Sequence, residues 1–193
     1  MTFDWLAPTW QNMVFAAITI LWWLEFRIFP SGDGGSDGGT QSYRTILASV
    51  LGTVVISVTG RLAGLGGFPH SWFPAMQIMG LGMYAAGIIL RYWCSYLLGV
   101  HFTRGVEVAD GQQLVSHGPY RVLRHPLYLG LLLLGLGVPV FLGSTVGLLV
   151  GVVTLPWALV RRITIEESEL VDTLGKEYET WMRTRYRLLP FIY

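Results

Sequence analysis

The stretch that decides the fold is Leu114-Val-Ser-His-Gly-Pro-Tyr-Arg-Val-Leu-Arg-His-Pro-Leu-Tyr-Leu-Gly130. It places basic and aromatic side chains directly before residues 126 to 160, a run of 35 residues without a charged side chain. At about 1.5 Å per residue, such a run is too long for one membrane-spanning helix and just long enough for two short ones. The sequence therefore predicts a helical hairpin that turns near Gly143-Ser144, with a re-entrant hairpin as the alternative.

The composition indicates a membrane protein. Hydrophobic residues make up 52% of the chain and charged residues 13%, whereas about 25% of residues are charged in soluble domains. A net charge of +1 argues against a nucleic-acid partner, which would require a strongly basic face. Because Cys94 is the single cysteine and the four histidines have no partner at ligand spacing, we expect neither a disulfide nor a metal site.

Three further apolar segments precede the hairpin. They cover residues 5–24, 45–60 and 75–90, and the third is expected to continue as an amphipathic helix through Leu98. The glycine-rich residues 31–40 are expected to form a flexible surface loop, and the glycines and prolines of residues 62–74 to interrupt regular helix. The predicted fold is all-α, with about five transmembrane helices and a cytoplasmic C-terminal helical segment. Residues 1–193 would form one membrane domain, with three helices in 1–90 and a catalytic half in 91–193.

The basic residues support this count of helices. Five spans would place twelve of the thirteen lysines and arginines on one side of the membrane and leave Arg61 on the other. By the positive-inside rule, the C-terminus and the polar clusters would then face the cytoplasm, and the N-terminus would lie outside.

Small residues in two of the helices predict close helix contacts, which replace hydrophobic packing as the main association force inside lipid. One seam would contain Gly80, Gly82, Ala85, Ala86 and Gly87, and the other Gly130, Gly135 and Gly137.

A second polar cluster, residues 161–169, begins where the uncharged run ends, so the hairpin would return it beside the first. Arg162 and Glu166 are four residues apart and would share one helix face. In the first helix of the hairpin, Pro126 would occupy the first helical position, leaving His125 at the N-cap and Tyr128 in the first turn. Unpaired backbone amides and the helix dipole favour a carboxylate there, so the whole arrangement could bind a zwitterion.

These residues resemble the isoprenylcysteine carboxyl methyltransferase-like integral membrane enzymes, which also look related to phospholipid N-methyltransferases. The resemblance covers residues 91 to 190. The matching positions are Leu98-Gly99, Phe102-Thr103, Leu114-Val115, Gly118-Pro-Tyr-Arg121, Arg124-His-Pro-Leu-Tyr-Leu-Gly130, Arg162 with Glu166-Glu167 and Leu170, Gly175-Lys-Glu-Tyr178 and Arg187-Leu-Leu-Pro190.

The resemblance implies S-adenosylmethionine as methyl donor, S-adenosylhomocysteine as product, and a prenylated or other lipophilic acceptor delivered from the membrane lipid. Arg162 matches the arginine that holds the acceptor, and it is the expected catalytic and substrate-binding residue. Carried over by position, the donor contacts fall on Gln112, Gln113, Leu114, Val115, Tyr120, His125, Pro126, Leu127, Tyr128 and Glu166. The order of residues after Trp181 departs from the family pattern, so either Arg183 or Arg185 could face the pocket.

Other functions fit parts of the sequence. Enzymes with this motif also act on small thiols and lipid amines, so the acceptor stays open. A small membrane transporter or structural module is the alternative from a different class, although no ionisable residue at mid-membrane and no internal repeat supports it. A sterol-type membrane reductase resembles the C-terminal region, but about ten spans would be expected of it.

Overall fold

The structure, a computed structural model, describes residues 9–28, 37–99 and 114–193. Within these ranges the regular elements are helices: α1 (Trp10–Ile28), α2 (Asp37–Leu62), α3 (Phe73–Leu98), α4 (Pro126–Phe141), α5 (Thr145–Leu174) and α6 (Lys176–Met182). Short 3₁₀ turns cover His70–Trp72 and Gly118–Arg121. The all-α prediction is confirmed for the described part of the chain.

Within the described residues, three helical segments are long and apolar enough to cross a membrane: Gln41–Leu62, His70–Leu98 and Thr145–Leu174. The helix α4 is apolar as well but has only 16 residues. Large hydrophobic side chains on the outer faces of these helices are exposed, among them Leu51, Ile89 and Val153, as expected of surfaces that face lipid rather than water. The chain is therefore a helical membrane protein, while the count of five spans stays a prediction.

The hairpin predicted from the uncharged run is confirmed. The helix α4 begins at Pro126 and ends at Phe141, and α5 begins at Thr145. Ser144 is the N-cap of α5, and its hydroxyl accepts a hydrogen bond of 3.2 Å from the amide of Gly147. Serine is a preferred N-cap because its oxygen satisfies an amide that the first helical turn leaves unpaired.

The predicted glycine-rich loop was wrong over residues 37–40, which form the first turn of α2. The apolar helix that follows extends into them, because adding a turn to an existing helix costs far less than starting one. Residues 31–36 of that predicted loop, and residues 5–8 of the predicted first span, lie outside the described ranges.

Close contact between α3 and α4 follows from part of the predicted small-residue seam. A methyl group added at Gly87 would lie 2.5 Å from the carbonyl oxygen of Gly130, and one at Gly137 would lie 2.9 Å from that of Gly80. The backbones therefore meet at two levels seven residues apart. Gly82 was wrongly included in this seam, because nothing lies within 4 Å of a methyl group added there.

A buried ion pair joins α1 to α3 near the start of α4. The guanidinium of Arg91 donates from Nε and Nη2 to the two carboxylate oxygens of Glu25, at 2.9 and 2.5 Å. Glu25 is completely buried. Burial of a carboxylate is unfavourable unless it is paired, and here both oxygens are bonded to Arg91. Arg91 Nη1 also points toward the carbonyl of Leu127, at 3.5 Å, which connects this pair to the first turn of α4.

Candidate active site

The C-terminal segment lies directly beside the chain that leads into α4. The amide of Tyr186 donates to the carbonyl of Val122 at 3.0 Å, and the amide of Arg124 donates back to the carbonyl of Tyr186 at 2.8 Å. The amide of His125 continues the ladder with a hydrogen bond of 3.2 Å to the carbonyl of Arg187. These bonds satisfy backbone groups outside the helices, and they bring both basic segments to the C-terminal half of α5, where Glu167 lies.

Glu167 connects these segments electrostatically. Its Oε1 accepts from Arg124 Nη1 at 3.2 Å and lies 3.1 Å from His125 Nε2. Its Oε2 lies 2.9 Å from Arg187 Nε; that N–H is not aligned for a hydrogen bond, so the contact is ionic. With 13% of its side chain exposed, Glu167 is a well-shielded anchor for three nitrogen-bearing side chains.

Tyr128 joins Glu166 to Arg162. Its hydroxyl donates to Oε2 of Glu166 at 2.6 Å and accepts from Nε of Arg162 at 3.2 Å. A third helix contributes as well, because Arg162 Nη1 donates to Oγ of Ser42 on α2 at 2.7 Å. Arg162 is 3% exposed, whereas 30% of the Glu166 side chain is exposed. The guanidinium is thus fixed inside the protein and the carboxylate remains accessible.

His125 stands between the two carboxylates. It is the N-cap of α4, as predicted, and Pro126 occupies the first helical position. Its Nε2 faces Glu167, and its Nδ1 lies 3.9 Å from Oε1 of Glu166. The amide of Tyr128 donates to the His125 carbonyl, and proline has no N–H. The helix end therefore offers fewer unpaired amides to a carboxylate than the sequence led us to expect.

Tyr120 lies under the same site from the 3₁₀ turn that precedes α4. Burial raises the pKa of Tyr120 well above its usual range, and the neighbouring Cys94 thiol and Glu166 carboxylate raise it further. Tyr120 therefore stays protonated at neutral pH. The carbonyl of Tyr120 accepts from Arg185 Nε at 2.8 Å, and the Arg185 guanidinium stacks over the Trp181 ring at 4.4 Å.

This contact distinguishes the two arginines that the sequence left open. Arg185 turns inward to Tyr120, whereas Arg183 is exposed. On the same side, the indole nitrogen of Trp181 donates to Ser116 Oγ at 2.9 Å, which holds the end of α6 against the segment that carries the half-buried Leu114 and Val115.

Tyr178 on α6, which matches the family pattern but was given no role from the sequence, carries a buried hydroxyl. The side chain is 1% exposed and its ring stacks on Trp181. Within the described ranges its hydroxyl has no hydrogen-bond partner. Burial raises the pKa of Tyr178, and the carboxylates of Glu167 and Glu166 raise it further, so the unpaired donor lies in the field of both acids. A buried donor without a partner is uncommon in proteins and indicates a place for a ligand or water.

The structure thus brings together most of the predicted site. The residues His125, Pro126, Tyr128, Arg162 and Glu166 converge, and Leu127 lies in the same turn, with Tyr120 beneath. Gln112 and Gln113 lie outside the described residues. In the ranges that the structure does describe, no group of three or more histidine, cysteine or acidic side chains is arranged to hold a metal ion.

Comparison with known proteins identifies relatives. A family model described as phospholipid methyltransferase matches residues 75–177. The chain is 32% identical over 123 residues to a probable protein-S-isoprenylcysteine O-methyltransferase of Oryza sativa subsp. indica, and this match covers 63% of each protein. It is 28% identical over 145 residues to protein-S-isoprenylcysteine O-methyltransferase B of Arabidopsis thaliana, covering 72% of each. The chain thus spans somewhat less than two thirds of the rice protein's length.

A solved structure shares the fold. The eukaryotic intramembrane Ras methyltransferase ICMT (isoprenylcysteine carboxyl methyltransferase) superimposes with a TM-score of 0.65 at 20% identity, over 97% of this chain and 70% of that one. The likeness therefore extends to α1 and α2, which lie outside the segment matched by the family model.

Proposed function

Because the chain belongs to the phospholipid methyltransferase family, we propose that it transfers a methyl group from S-adenosylmethionine to the carboxylate of an isoprenylated cysteine or of a similar lipophilic acceptor. The observation that carries this proposal is the shared hydroxyl of Tyr128, which holds the buried Arg162 beside the accessible Glu166. The names of the rice and Arabidopsis relatives support a prenylcysteine as the acceptor.

The side chains around Glu166 fit S-adenosylmethionine, whose sulfonium supplies an electrophilic methyl group. Within the described ranges Glu166 has one short hydrogen bond, to Tyr128, and its Oε1 makes none. That oxygen is available for the donor's ammonium group, a charge-assisted contact. The unpaired hydroxyl of Tyr178 is a second group that a polar ligand would satisfy.

The remaining donor contacts stay as the family resemblance implies them. They are Gln112, Gln113, Leu114, Val115, Tyr120, His125, Pro126, Leu127 and Tyr128. Of these, His125 would position the donor rather than exchange protons with it, because both of its ring nitrogens face carboxylates.

Arg162 would bind the acceptor. A guanidinium presents parallel N–H groups that match a carboxylate, and its fixed orientation keeps the acceptor oxygen in place. The carboxylate is already ionised at neutral pH, so the reaction needs no general base. The acceptor oxygen forms a bond to the methyl carbon as the methyl–sulfur bond breaks, and the bonding electrons remain on sulfur. The protein contributes positioning and charge stabilisation.

The orientation in the membrane is part of the proposal. Five spans, formed by α1 to α5 in one membrane domain, would place the N-terminus outside and the site and C-terminus in the cytoplasm, as the basic residues favour. The site lies beyond the apolar part of α5, where a lipophilic acceptor could keep its chain in the bilayer while its polar end reaches Arg162.

A lipid amine is a second candidate acceptor, because the matched family is described as phospholipid methyltransferase. An amine would be attracted to Glu166 and repelled by Arg162, whereas a carboxylate would bind Arg162 directly. Substrate charge therefore discriminates between the two, and a small thiol would lack the charge that Arg162 selects.

The test uses the full chain purified in detergent. Calorimetry with S-adenosylhomocysteine should detect binding, and labelled-methyl transfer should be strongest to an N-acetylated S-farnesylcysteine in a panel that includes small thiols and lipid amines. Arg162→Ala should retain binding of S-adenosylhomocysteine and lose transfer, while Arg183→Ala, which removes an exposed arginine, is the matched control. No binding by the wild-type chain would refute the proposal. Transfer only to amines would show that the acceptor is a lipid amine and not a carboxylate.

A further inference from the structure

The helix α2 contributes to the site through the side chain of Ser42. Ser42 is 3% exposed, and its Oγ accepts a hydrogen bond of 2.7 Å from Nη1 of Arg162. Ser42 lies 33 residues before the first residue of the segment matched by the family model, and nothing in the family resemblance assigns it a role.

The contact follows from the way α2 packs on α5. A methyl group added at Gly151 would touch the Thr53 side chain at 3.0 Å, and one at Gly147 would lie 2.8 Å from the backbone of Ser57. Glycine at these two positions therefore lets the antiparallel helices approach closely. Thr53 and Ser57 are fully buried in this contact.

The same register leads directly to Arg162. Ser42 precedes Thr53 by eleven residues, and Arg162 follows Gly151 by eleven. Eleven residues make about three helical turns. Ser42 therefore lies on the same face of α2 as Thr53, and Arg162 lies on the same face of α5 as Gly151. The pair formed by Ser42 and Arg162 is thus the cytoplasmic continuation of the helix interface, and its geometry is fixed by the glycine contacts further along.

Ser42 connects two helices through its hydroxyl oxygen. The hydroxyls of Thr53 and Ser57 donate to carbonyl groups of their own helix, at 2.8 and 2.6 Å. The oxygen of Ser42 accepts an N–H group from another helix. Together with the Tyr128 hydroxyl on Nε, it holds the guanidinium at two nitrogens and so defines the plane in which Arg162 can face a ligand.

We propose that Ser42 is a positioning residue that orients Arg162 for the acceptor carboxylate, so that α2 takes part in acceptor recognition. This inference rests on the proposed function of Arg162. Binding of a carboxylate to a guanidinium depends on alignment of two parallel N–H groups, and a plane that rotates freely about the side chain would lose that alignment. Donor binding does not depend on Ser42, because Glu166 is held by Tyr128 instead.

The experiment compares Ser42→Ala with Ser57→Ala, which removes a buried hydroxyl from the same face of α2 without affecting Arg162. Both variants and the wild type are assayed in detergent for methyl transfer to an N-acetylated S-farnesylcysteine and for binding of S-adenosylhomocysteine by calorimetry. Loss of one hydrogen bond to a charged group should raise the acceptor KM of Ser42→Ala about tenfold. Its affinity for S-adenosylhomocysteine should stay within about twofold of the wild type.

Ser42→Thr, which keeps the hydroxyl, should recover most of the loss in acceptor KM. The inference is overturned if the acceptor KM of Ser42→Ala equals that of Ser57→Ala, or if Ser42→Ala loses S-adenosylhomocysteine binding along with transfer, since the residue would then only support the fold. If the wild-type chain transfers no methyl group at all, the proposed function is refuted. That outcome is seen in the wild type alone, whereas the role of Ser42 is tested by comparing the variants.

Discussion

Tyr128 and Glu166 are joined across the α4–α5 hairpin by a hydrogen bond of 2.6 Å from the phenol to the carboxylate. The same phenol oxygen accepts from Arg162 at 3.2 Å. One neutral group therefore separates a carboxylate from a guanidinium that lie one helical turn apart on α5, and it orients both. This arrangement allows each charged side chain to meet a different ligand group.

Replacing Tyr128 by phenylalanine tests this arrangement. The change removes the only atom that Glu166 and Arg162 share in the contacts described above, and it leaves a buried N–H of Arg162 without that acceptor. Since one hydrogen bond to each charged group is lost, we expect kcat/KM for methyl transfer to fall about tenfold to a hundredfold. Tyr96→Phe is the matched control, because Tyr96 is 78% exposed on α3 and its hydroxyl should not matter. Equal activity of the two variants would contradict the role of the phenol.

Glu166→Gln should separate ligand binding from folding. The amide keeps the size of the side chain and removes its charge, so the ammonium of the donor loses its partner. We expect affinity for S-adenosylhomocysteine to fall more than tenfold, with the thermal unfolding midpoint of the ligand-free protein changed little because 30% of this side chain is already exposed. Calorimetry and a thermal-shift series measure the two effects. Glu177→Gln, at an exposed position of α6, should alter neither.

Glu167→Gln should show the opposite behaviour. This neighbouring carboxylate contacts Arg124 and His125 before α4 and Arg187 in the C-terminal segment, so neutralising it leaves three nitrogen-bearing side chains of the two paired segments without a charged partner. Loss of a partly buried pairing of this kind costs about 1–3 kcal/mol, and the thermal unfolding midpoint should drop clearly below that of Glu166→Gln. A variant as stable as the wild type would show that the backbone ladder alone holds the segment.

Several parts of this site follow from the sequence, and others do not. The pairing of Arg162 with Tyr128 was predictable because helix periodicity places residues 162 and 166 on one face and an antiparallel hairpin returns that face to the start of α4. The role of Glu167 was not, since its partners depend on the backbone pairing of residues 122–125 with 186–187, which has no hydrophobic pattern. Ser42 was missed for a similar reason, because a single serine in α2 does not reveal how that helix is aligned with α5. A usable signal was the glycine pair at positions 147 and 151, whose spacing matches that of Thr53 and Ser57.

The buried pair formed by Glu25 and Arg91 predicts a non-additive response to mutation. Glu25→Gln leaves the Arg91 guanidinium buried with a weaker partner, and such single changes cost about 3–5 kcal/mol in protein interiors. The double variant Glu25→Leu/Arg91→Met removes both charges, and we expect it to be more stable than Arg91→Met alone. Denaturant titration in detergent measures both differences in the free energy of unfolding. Additive losses would show that the two charges contribute independently.

The contact between α3 and α4 can be tested with two glycines of the same helix. In Gly87→Ala the new methyl group would lie 2.5 Å from the Gly130 carbonyl oxygen and 2.8 Å from the Leu134 amide nitrogen. Both are backbone atoms, so the helices must separate to admit it, and overpacking of this kind costs about 1–3 kcal/mol. In Gly82→Ala the methyl group meets nothing within 4 Å, and the higher helix propensity of alanine should leave the protein as stable or slightly more so.

Because α4 carries Pro126 and Tyr128 in its first turn, the separation in Gly87→Ala should also reduce methyl transfer, while Gly82→Ala should retain it. Thermal unfolding and transfer assays on the two variants measure both consequences, and equal destabilisation by both alanines would mean that the α3 backbone, rather than its contact with α4, is the sensitive element.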